Sequence, residues 1–449
     1  MKATPHILLV NPWIHDFAAY DFWAKPLGLL TLAGILRQHG FQISYIDCLD
    51  RFHPNAKSTA LHARQGRGPY LKTEISKPPG LEDIQRTFSR YGIPHQWFHE
   101  DLKALCTPDL ILVTSLMTYW YPGVQETIKA IKKVFPTVPV ILGGIYATLC
   151  HDHADCHSGA DRVIAGTGIE SILDLAGTYT GYSPLPEYDP ENLDTVPYPA
   201  LDLQHKINYA PLLTSRGCPF ACAYCASHIL DPKRMLRSPA SVVAEILHWH
   251  KGYGVVDFAF YDDALLVNAD DHIIPILEDL IGRDLKVRFH TPNAVHIREI
   301  TQLTAGLMFA AGFETIRLGL ETTAFNKRND LDHKVTAHEF DRAVTCLKHA
   351  GFNRNQIGAY LLIGLPDQSL EAIEASIRVV RQAGITPILA HYTPIPHTPL
   401  WHQAIGASRY DLESDPIFTN NAIFPCRQDT FSWQTLTHLK QLAKNENNG

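Results

Sequence analysis

Residues 214–228 read TSRGCPFACAYCASH, placing Cys218, Cys222 and Cys225 within eight positions and offering no fourth cysteine nearby. Thiolates bind soft metals and iron–sulfur clusters. A structural zinc site closes its shell with four ligands, and His228 is the neighbouring donor that would make a Cys3His set. The stretch lacks the second Cys-x2-Cys pair of a zinc knuckle. Whether the missing fourth ligand is an accident or the point of the site is the question this stretch raises.

The motif directly follows the apolar run YAPLLTS (209–215), and that placement decides the fold. Five further strand-like runs succeed it: VDFAFYDD (256–263), KVRFHTP (286–292), ETIRLGLET (314–322), QIGAYLLIGLP (356–366) and TPILAHYTPIP (386–396). Helical stretches such as SPASVVAEILHWHKGYG and SLEAIEASIRVVRQAG separate them. Strands alternating with helices predict a partial (β/α)6 TIM-type barrel over 209–400, with its ligands at the carboxyl ends of the strands. The cysteine loop lies at such an end.

The first ~180 residues show the same alternation. HILLV (6–10), QISYIDC (42–48), PDLILVTSLM (108–117), VPVILGG (138–144) and DRVIAG (161–166) read as strands. They predict an N-terminal doubly wound (Rossmann/flavodoxin-like) parallel-sheet domain over 1–182. Segment 53–100, rich in His, Gly and Pro, reads as an insertion with little fixed structure of its own. The Pro- and Tyr-rich stretch 183–208 reads as an interdomain linker, and 401–449 as an irregular C-terminal extension ending in a short helix and a polar tail.

Composition narrows the function classes. With 45% hydrophobic and 19% charged residues the chain is globular. A net charge of −7 without a basic run argues against nucleic-acid binding. No apolar stretch is long enough to span a membrane. The start, MKATPHILLVNPW, reads as a buried strand rather than a signal peptide, so a cytoplasmic location is expected. Six of the nine cysteines are dispersed and read as idle thiols of a reducing compartment.

The cysteine motif, with Tyr224 just before its last cysteine, resembles the signature of the radical S-adenosylmethionine (SAM) enzymes. The resemblance implies a [4Fe–4S] cluster on Cys218, Cys222 and Cys225 whose open iron binds SAM. It also implies reductive SAM cleavage to a 5′-deoxyadenosyl radical, driven by a donor such as flavodoxin or ferredoxin. The strand ends that follow supply further candidates. In FAFYDD, Asp262 and Asp263 suit the SAM amino group, or else cap the next turn. RFHTPNAVHIREI offers His290 and Asn293 and resembles the TPN segment of radical SAM enzymes with cobalamin-binding domains. RLGLET offers Arg317 and Glu321, alternate strand residues that face one side as cofactor shell or as a structural ion pair. LLIGLPDQSLEAI carries Gly364 and Pro366 at a turn expected beside the adenine, where glycine permits close backbone approach. HYTPIPHTPLW resembles the family's PIPGTP segment, with His397 in place of the usual glycine.

An open α/β domain ahead of such a barrel resembles the cobalamin-binding group of the superfamily, and DFAAYDFWAKPLGLL, TYWYPGV, GGIYATL and ESDPIFTNNAIFPC extend the match. Gly143 and Gly144 would then let a nucleotide tail approach the backbone. The Asp-x-His-x-x-Gly motif of base-off cobalamin proteins is missing; DCHSG (155–159) has its glycine one residue early. His15, in the loop after the first strand, is the nearby imidazole. The run CHDHADCH (150–157) reads as a solvated strand-to-helix loop or as a second metal site. With cobalamin, methyl transfer to carbon or phosphorus is the leading reaction; without it, rearrangement, cleavage or sulfur insertion remain. A zinc-stabilised binding protein is the rival from another class. No residue names the substrate.

Overall fold

The structure is a computed structural model that describes residues 4–56, 64–325, 331–332, 335–427 and 432–444. Residues 57–63, within the segment read as an insertion, and the polar tail from 445 lie outside the described residues. The chain divides into two compact units, residues 1–209 with 415–417, and residues 210–414 with 418–449.

Among the described residues, the first unit is built on five parallel strands: β1 (His6–Asn11), β2 (Gln42–Asp47), β3 (Leu110–Val113), β4 (Val140–Leu142) and β5 (Arg162–Val163). Their order is β5-β4-β3-β1-β2. The sheet is thus α/β and parallel, and its order reverses between β1 and β3, consistent with a Rossmann-like arrangement. β1 and β3 are buried along their length, which is why HILLV and LILV are unbroken apolar runs rather than alternating ones. Ile7 and Leu9 face one hydrophobic cluster, and Leu8 and Val10 the other.

Helix α1 (Leu27–Gln38) lies on one face and ends where Gly40 takes a left-handed conformation (φ +85°). Segment 183–208 folds onto this helix. Ala200 N–H donates to the Leu30 carbonyl (2.9 Å), and Tyr188, Leu193 and Leu201 are buried. At Gly34 an added Cβ would stand 2.4 Å from the Tyr198 carbonyl oxygen.

The expectation of little fixed structure in 53–100 is overturned. Lys72–Glu74 and Ser89–Tyr91 join Ile14–Asp16 in an antiparallel sheet, and Leu81, Ile84, Phe88, Ile93 and Phe98 are buried. Trp13 explains part of this order. Its indole N–H donates to the Ile93 carbonyl (2.8 Å), and its ring packs edge-on to Phe98. These partners are distant in sequence and carry no helical or strand period, so no local pattern announced them.

The second unit holds six parallel strands in chain order among the described residues: β6 (Ala210–Leu212), β7 (Asp257–Phe260), β8 (Arg288–His290), β9 (Phe313–Glu321), β10 (Ile357–Ile363) and β11 (Thr386–His391). Consecutive parallel strands with helical crossovers are consistent with a (β/α)-barrel-like sheet. Phe258, Phe260, Phe289 and Phe313 are fully buried and stack across β7, β8 and β9, with ring centroids 5.3–5.9 Å apart. His397 has φ +67° in an exposed turn, the left-handed conformation that the family's glycine would adopt at no steric cost.

Alanine favours a helix interior over glycine by about 1 kcal/mol, yet the Tyr198 carbonyl blocks the space at position 34. Gly34→Ala is therefore expected to lower stability by about 1–3 kcal/mol in chemical denaturation. A stabilised variant would mean that 183–208 does not pack on α1.

Candidate active site

The loops after β6, β7 and β8 meet at one cavity of about 260 Å³. Cys218, Cys222 and Cys225 line it, with Phe220, Ser227, Asp263, Asn293, His296 and Tyr360 among the other walls. The cysteine loop runs in irregular backbone and turns from 217 to 226, so neighbours must set its shape.

Its start is held by Asp262, which is 2% exposed. The carboxylate accepts from Thr214 N–H (3.1 and 3.2 Å), Thr214 Oγ1–H (2.7 Å) and Ser215 Oγ–H (2.6 Å). Since Thr214 Oγ1 gives its proton to Asp262, the His272 Nε2 at 2.9 Å donates to it. Burial raises the Asp262 pKa, against the pull of the bonds from Ser215 and Thr214. Asp262 is not among the cavity-lining residues, whereas its neighbour Asp263 is.

Gly217 comes next, at φ +75°, where a Cβ would meet the Lys233 carbonyl at 2.6 Å. Arg234 donates to the carbonyls of Gly217 (3.1 Å), Ala264 (3.1 Å) and Val267 (3.2 Å), and burial lowers its pKa. Ser215–Arg216 and Met235–Leu236 pair as an antiparallel hairpin, and within it Arg216 pairs with Asp231 at 2.6 Å. Neither arginine carries a sequence signal of its role, because their partners are backbone carbonyls or arise only in the folded hairpin.

The far half of the loop is tied to the unit's core. Ala223 N–H donates to the Leu331 carbonyl, and Leu400 N–H to the Ala223 carbonyl, each at 2.9 Å. Tyr224 does not line the cavity; its hydroxyl donates to Glu321 Oε1 at 2.7 Å. Burial pushes this phenol well above its usual pKa, and the Glu321 charge adds to the push. Glu321 itself is 7% exposed and has φ +59°, at a register shift in the β9–β10 ladder. A left-handed glutamate is strained, and the Tyr224 bond offsets part of that cost. Cys225 Sγ accepts from Ser227 N–H at 3.5 Å.

The other sequence candidates divide clearly. Asn293 lines the cavity and donates to the Tyr261 carbonyl (2.7 Å). Arg317 donates to the Ile316 carbonyl (3.0 Å) and is not a lining residue. His290 is completely buried in the sheet, bonded to Asp257 (3.0 Å) and Thr315 (3.1 Å). Gly364 (φ +85°) and Pro366 are buried; a Cβ at 364 would meet Phe424 at 2.9 Å, so packing already requires that glycine.

In the first unit, Gly144 (φ +98°) packs against the Ser115 carbonyl, 2.2 Å from where a Cβ would stand; at Gly143 a Cβ would meet only the Ile164 carbonyl, at 3.9 Å. His15 Nε2 is bonded to Glu126 (2.7 Å), which also meets His95 (2.7 Å) and Arg90 (3.4 Å). Burial raises the Glu126 pKa, but these cationic and hydrogen-bonding partners outweigh it and hold the carboxyl near 2. The run 150–157 is not a loop: His151–His157 is helical, Ala154 is buried beneath it, and His153 Nδ1 bonds the Tyr146 hydroxyl (2.7 Å).

Among the described residues no three Cys, His, Asp or Glu side chains gather tightly enough to hold a single metal ion. That applies to 150–157 and to the three cysteines with His228, which is exposed. The three cysteines line one cavity.

Residues 212–380 match the Radical SAM superfamily, and residues 93–176 match the B12 binding domain. The chain carries a radical SAM domain and a B12 binding domain. It is 26% identical over 331 residues to an uncharacterized methyltransferase of Pyrococcus horikoshii, covering 67% of this chain and 70% of that one. It is 20% identical over 446 residues to the cytidylyl-2-hydroxyethylphosphonate methyltransferase of Streptomyces wedmorensis, covering 85% and 78%. Among solved structures it resembles the radical SAM methyltransferase TsrM of Kitasatospora setae. With tryptophan and aza-SAM bound, that structure gives a TM-score of 0.66 at 16% identity, covering 91% of this chain and 78% of that one. TsrM with cobalamin and a [4Fe–4S] cluster gives 0.64, also at 16%, covering 91% and 76%. At that identity the likeness is one of fold. No helix among the described residues is long and apolar enough to cross a membrane.

Tyr224→Phe removes the donor to Glu321 and is expected to cost about 1.5–3 kcal/mol in denaturation of the metal-free protein. Adding Glu321→Gln should then cost less than it does alone. Strictly additive losses would contradict the coupling.

Proposed function

We propose that the protein is a cobalamin-dependent radical SAM methyltransferase acting on a small molecule. The observation that carries the reading is the set of three thiols lining one cavity at neighbouring parallel-strand ends. In this reading Cys218, Cys222 and Cys225 hold a [4Fe–4S] cluster. When bound, that cluster supplies the electron that cleaves SAM reductively to the 5′-deoxyadenosyl radical, and cobalamin supplies a methyl carrier.

The chain's own residues do the rest. Asp263 and Asn293, the polar candidates on the cavity wall, orient the amino and carboxylate groups of SAM. Asp262 acts one step back: it fixes Thr214 and Ser215 and so aims the loop. Glu321 plays the same part through Tyr224. Arg317, Gly364 and Pro366 shape the strand ends behind the cavity. Phe220 and Tyr360 exclude water and stray hydrogen donors from it.

The domains in this reading are a doubly wound sheet over 1–182, a connector over 183–208, a partial (β/α)6 barrel over 209–400 and an extension over 401–449. Gly143 is the position on the first sheet's carboxyl edge with room for a nucleotide tail; Gly144 is already filled by Ser115. His15, committed to Glu126, is not the cobalt ligand. The enzyme is cytoplasmic and takes its electron from flavodoxin or ferredoxin. Methyl transfer is favoured over rearrangement because the two relatives and TsrM bear methyltransferase names.

Protein produced with cobalamin and reconstituted anaerobically should hold about four irons per chain and near-stoichiometric cobalt, and should release 5′-deoxyadenosine from SAM on reduction. Cys222→Ala should lose iron and SAM cleavage while keeping cobalt. Iron without retained cobalt would rule out the methyltransferase; one zinc without iron would rule out the radical enzyme.

A further inference from the structure

The spacer between the first two cysteines is Pro219-Phe220-Ala221. Pro219 and Ala221 are exposed, and Phe220 is the half-buried member that turns into the cavity wall. Its ring meets the imidazole of His296, with centroids 4.3 Å apart and planes inclined by 30°. His296 is 5% exposed and lines the same cavity from the loop after β8.

That second loop is well fixed. The Tyr360 hydroxyl donates to the Pro292 carbonyl (2.9 Å), and Asn293 Nδ2 donates to the Tyr261 carbonyl (2.7 Å). Val295 N–H donates to the Arg317 carbonyl (2.8 Å), and Gly319 N–H returns a bond to the Val295 carbonyl (3.2 Å). Backbone on both sides of the cavity wall thus sets where the imidazole stands, whereas the cysteine spacer has irregular backbone.

We propose that His296 is a positioning residue for the cysteine loop. Its imidazole, fixed by the loop after β8, packs at a tilt on the Phe220 ring and holds the Cys218–Cys222 spacer in the shape that turns both thiols to one cavity. Tyr224 and Glu321 brace the loop's far half, and His296 and Phe220 brace its near half. The consequence for cluster binding rests on the reading of the three cysteines as cluster ligands; the brace itself does not.

Two readouts on the full-length chain separate these. In the metal-free protein, amide hydrogen exchange across 218–222 should quicken roughly two- to tenfold in His296→Ala and in Phe220→Ala, as loss of an aromatic pair implies. The double variant should be no faster than either single. His296→Phe keeps a flat ring and should restore wild-type exchange. After anaerobic reconstitution and desalting, iron retention should fall and the electron paramagnetic resonance of the reduced cluster should shift in His296→Ala, but not in His296→Phe. Wild-type exchange in His296→Ala, additive effects in the double variant, or a His296→Phe variant as impaired as His296→Ala would each overturn the proposal. Wild-type protein that takes up no iron on reconstitution, with variants whose exchange follows the expected pattern, would sustain the brace and remove the cluster reading.

Discussion

One buried carboxylate carries the site. Asp262, just past the carboxyl end of β7, accepts four bonds from Thr214 and Ser215, the residues that lead into the cysteine loop. A buried acid is tolerated only when its lone pairs are filled, and here the filling groups are the loop's own backbone and hydroxyls. The start of the loop cannot shift without stranding that acid. Gly217, Arg234 and the Tyr224–Glu321 pair extend the same logic, each tying irregular backbone to a rigid strand end or hairpin.

The strand order makes this economical. Because β6, β7 and β8 are adjacent and parallel, their carboxyl-end loops emerge side by side. Thiols from the first, Asp263 from the second, and Asn293 and His296 from the third therefore meet without any long excursion of the chain. The buried phenylalanines of β7, β8 and β9 keep those ends in place, since close-packed rings leave no room for sliding.

Much of this was legible in the sequence because it is written in local periods. The apolar runs of both units became strands within a few residues of their expected ends. What escaped notice depends on long-range partners. Segment 53–100 acquires its order from Trp13 and from an antiparallel strand far earlier in the chain. Asp262 and Asp263 are neighbours of the same type, and only the fold assigns one to the loop and the other to the cavity. His290 reads like a strand-end ligand but faces Asp257 and Thr315 inside the sheet. Three residues beyond Asn293, His296 had no motif to single it out; its meaning comes from the ring it meets.

In the proposed enzyme, the three thiolates that line the cavity leave one metal of a cluster open for SAM. Mössbauer spectroscopy of protein reconstituted with iron-57, recorded with and without SAM, tests it most directly. One iron of the cluster should change its isomer shift on SAM addition while the rest stay as they were. A spectrum unchanged by SAM, or a single mononuclear site bound by the three cysteines, would contradict it.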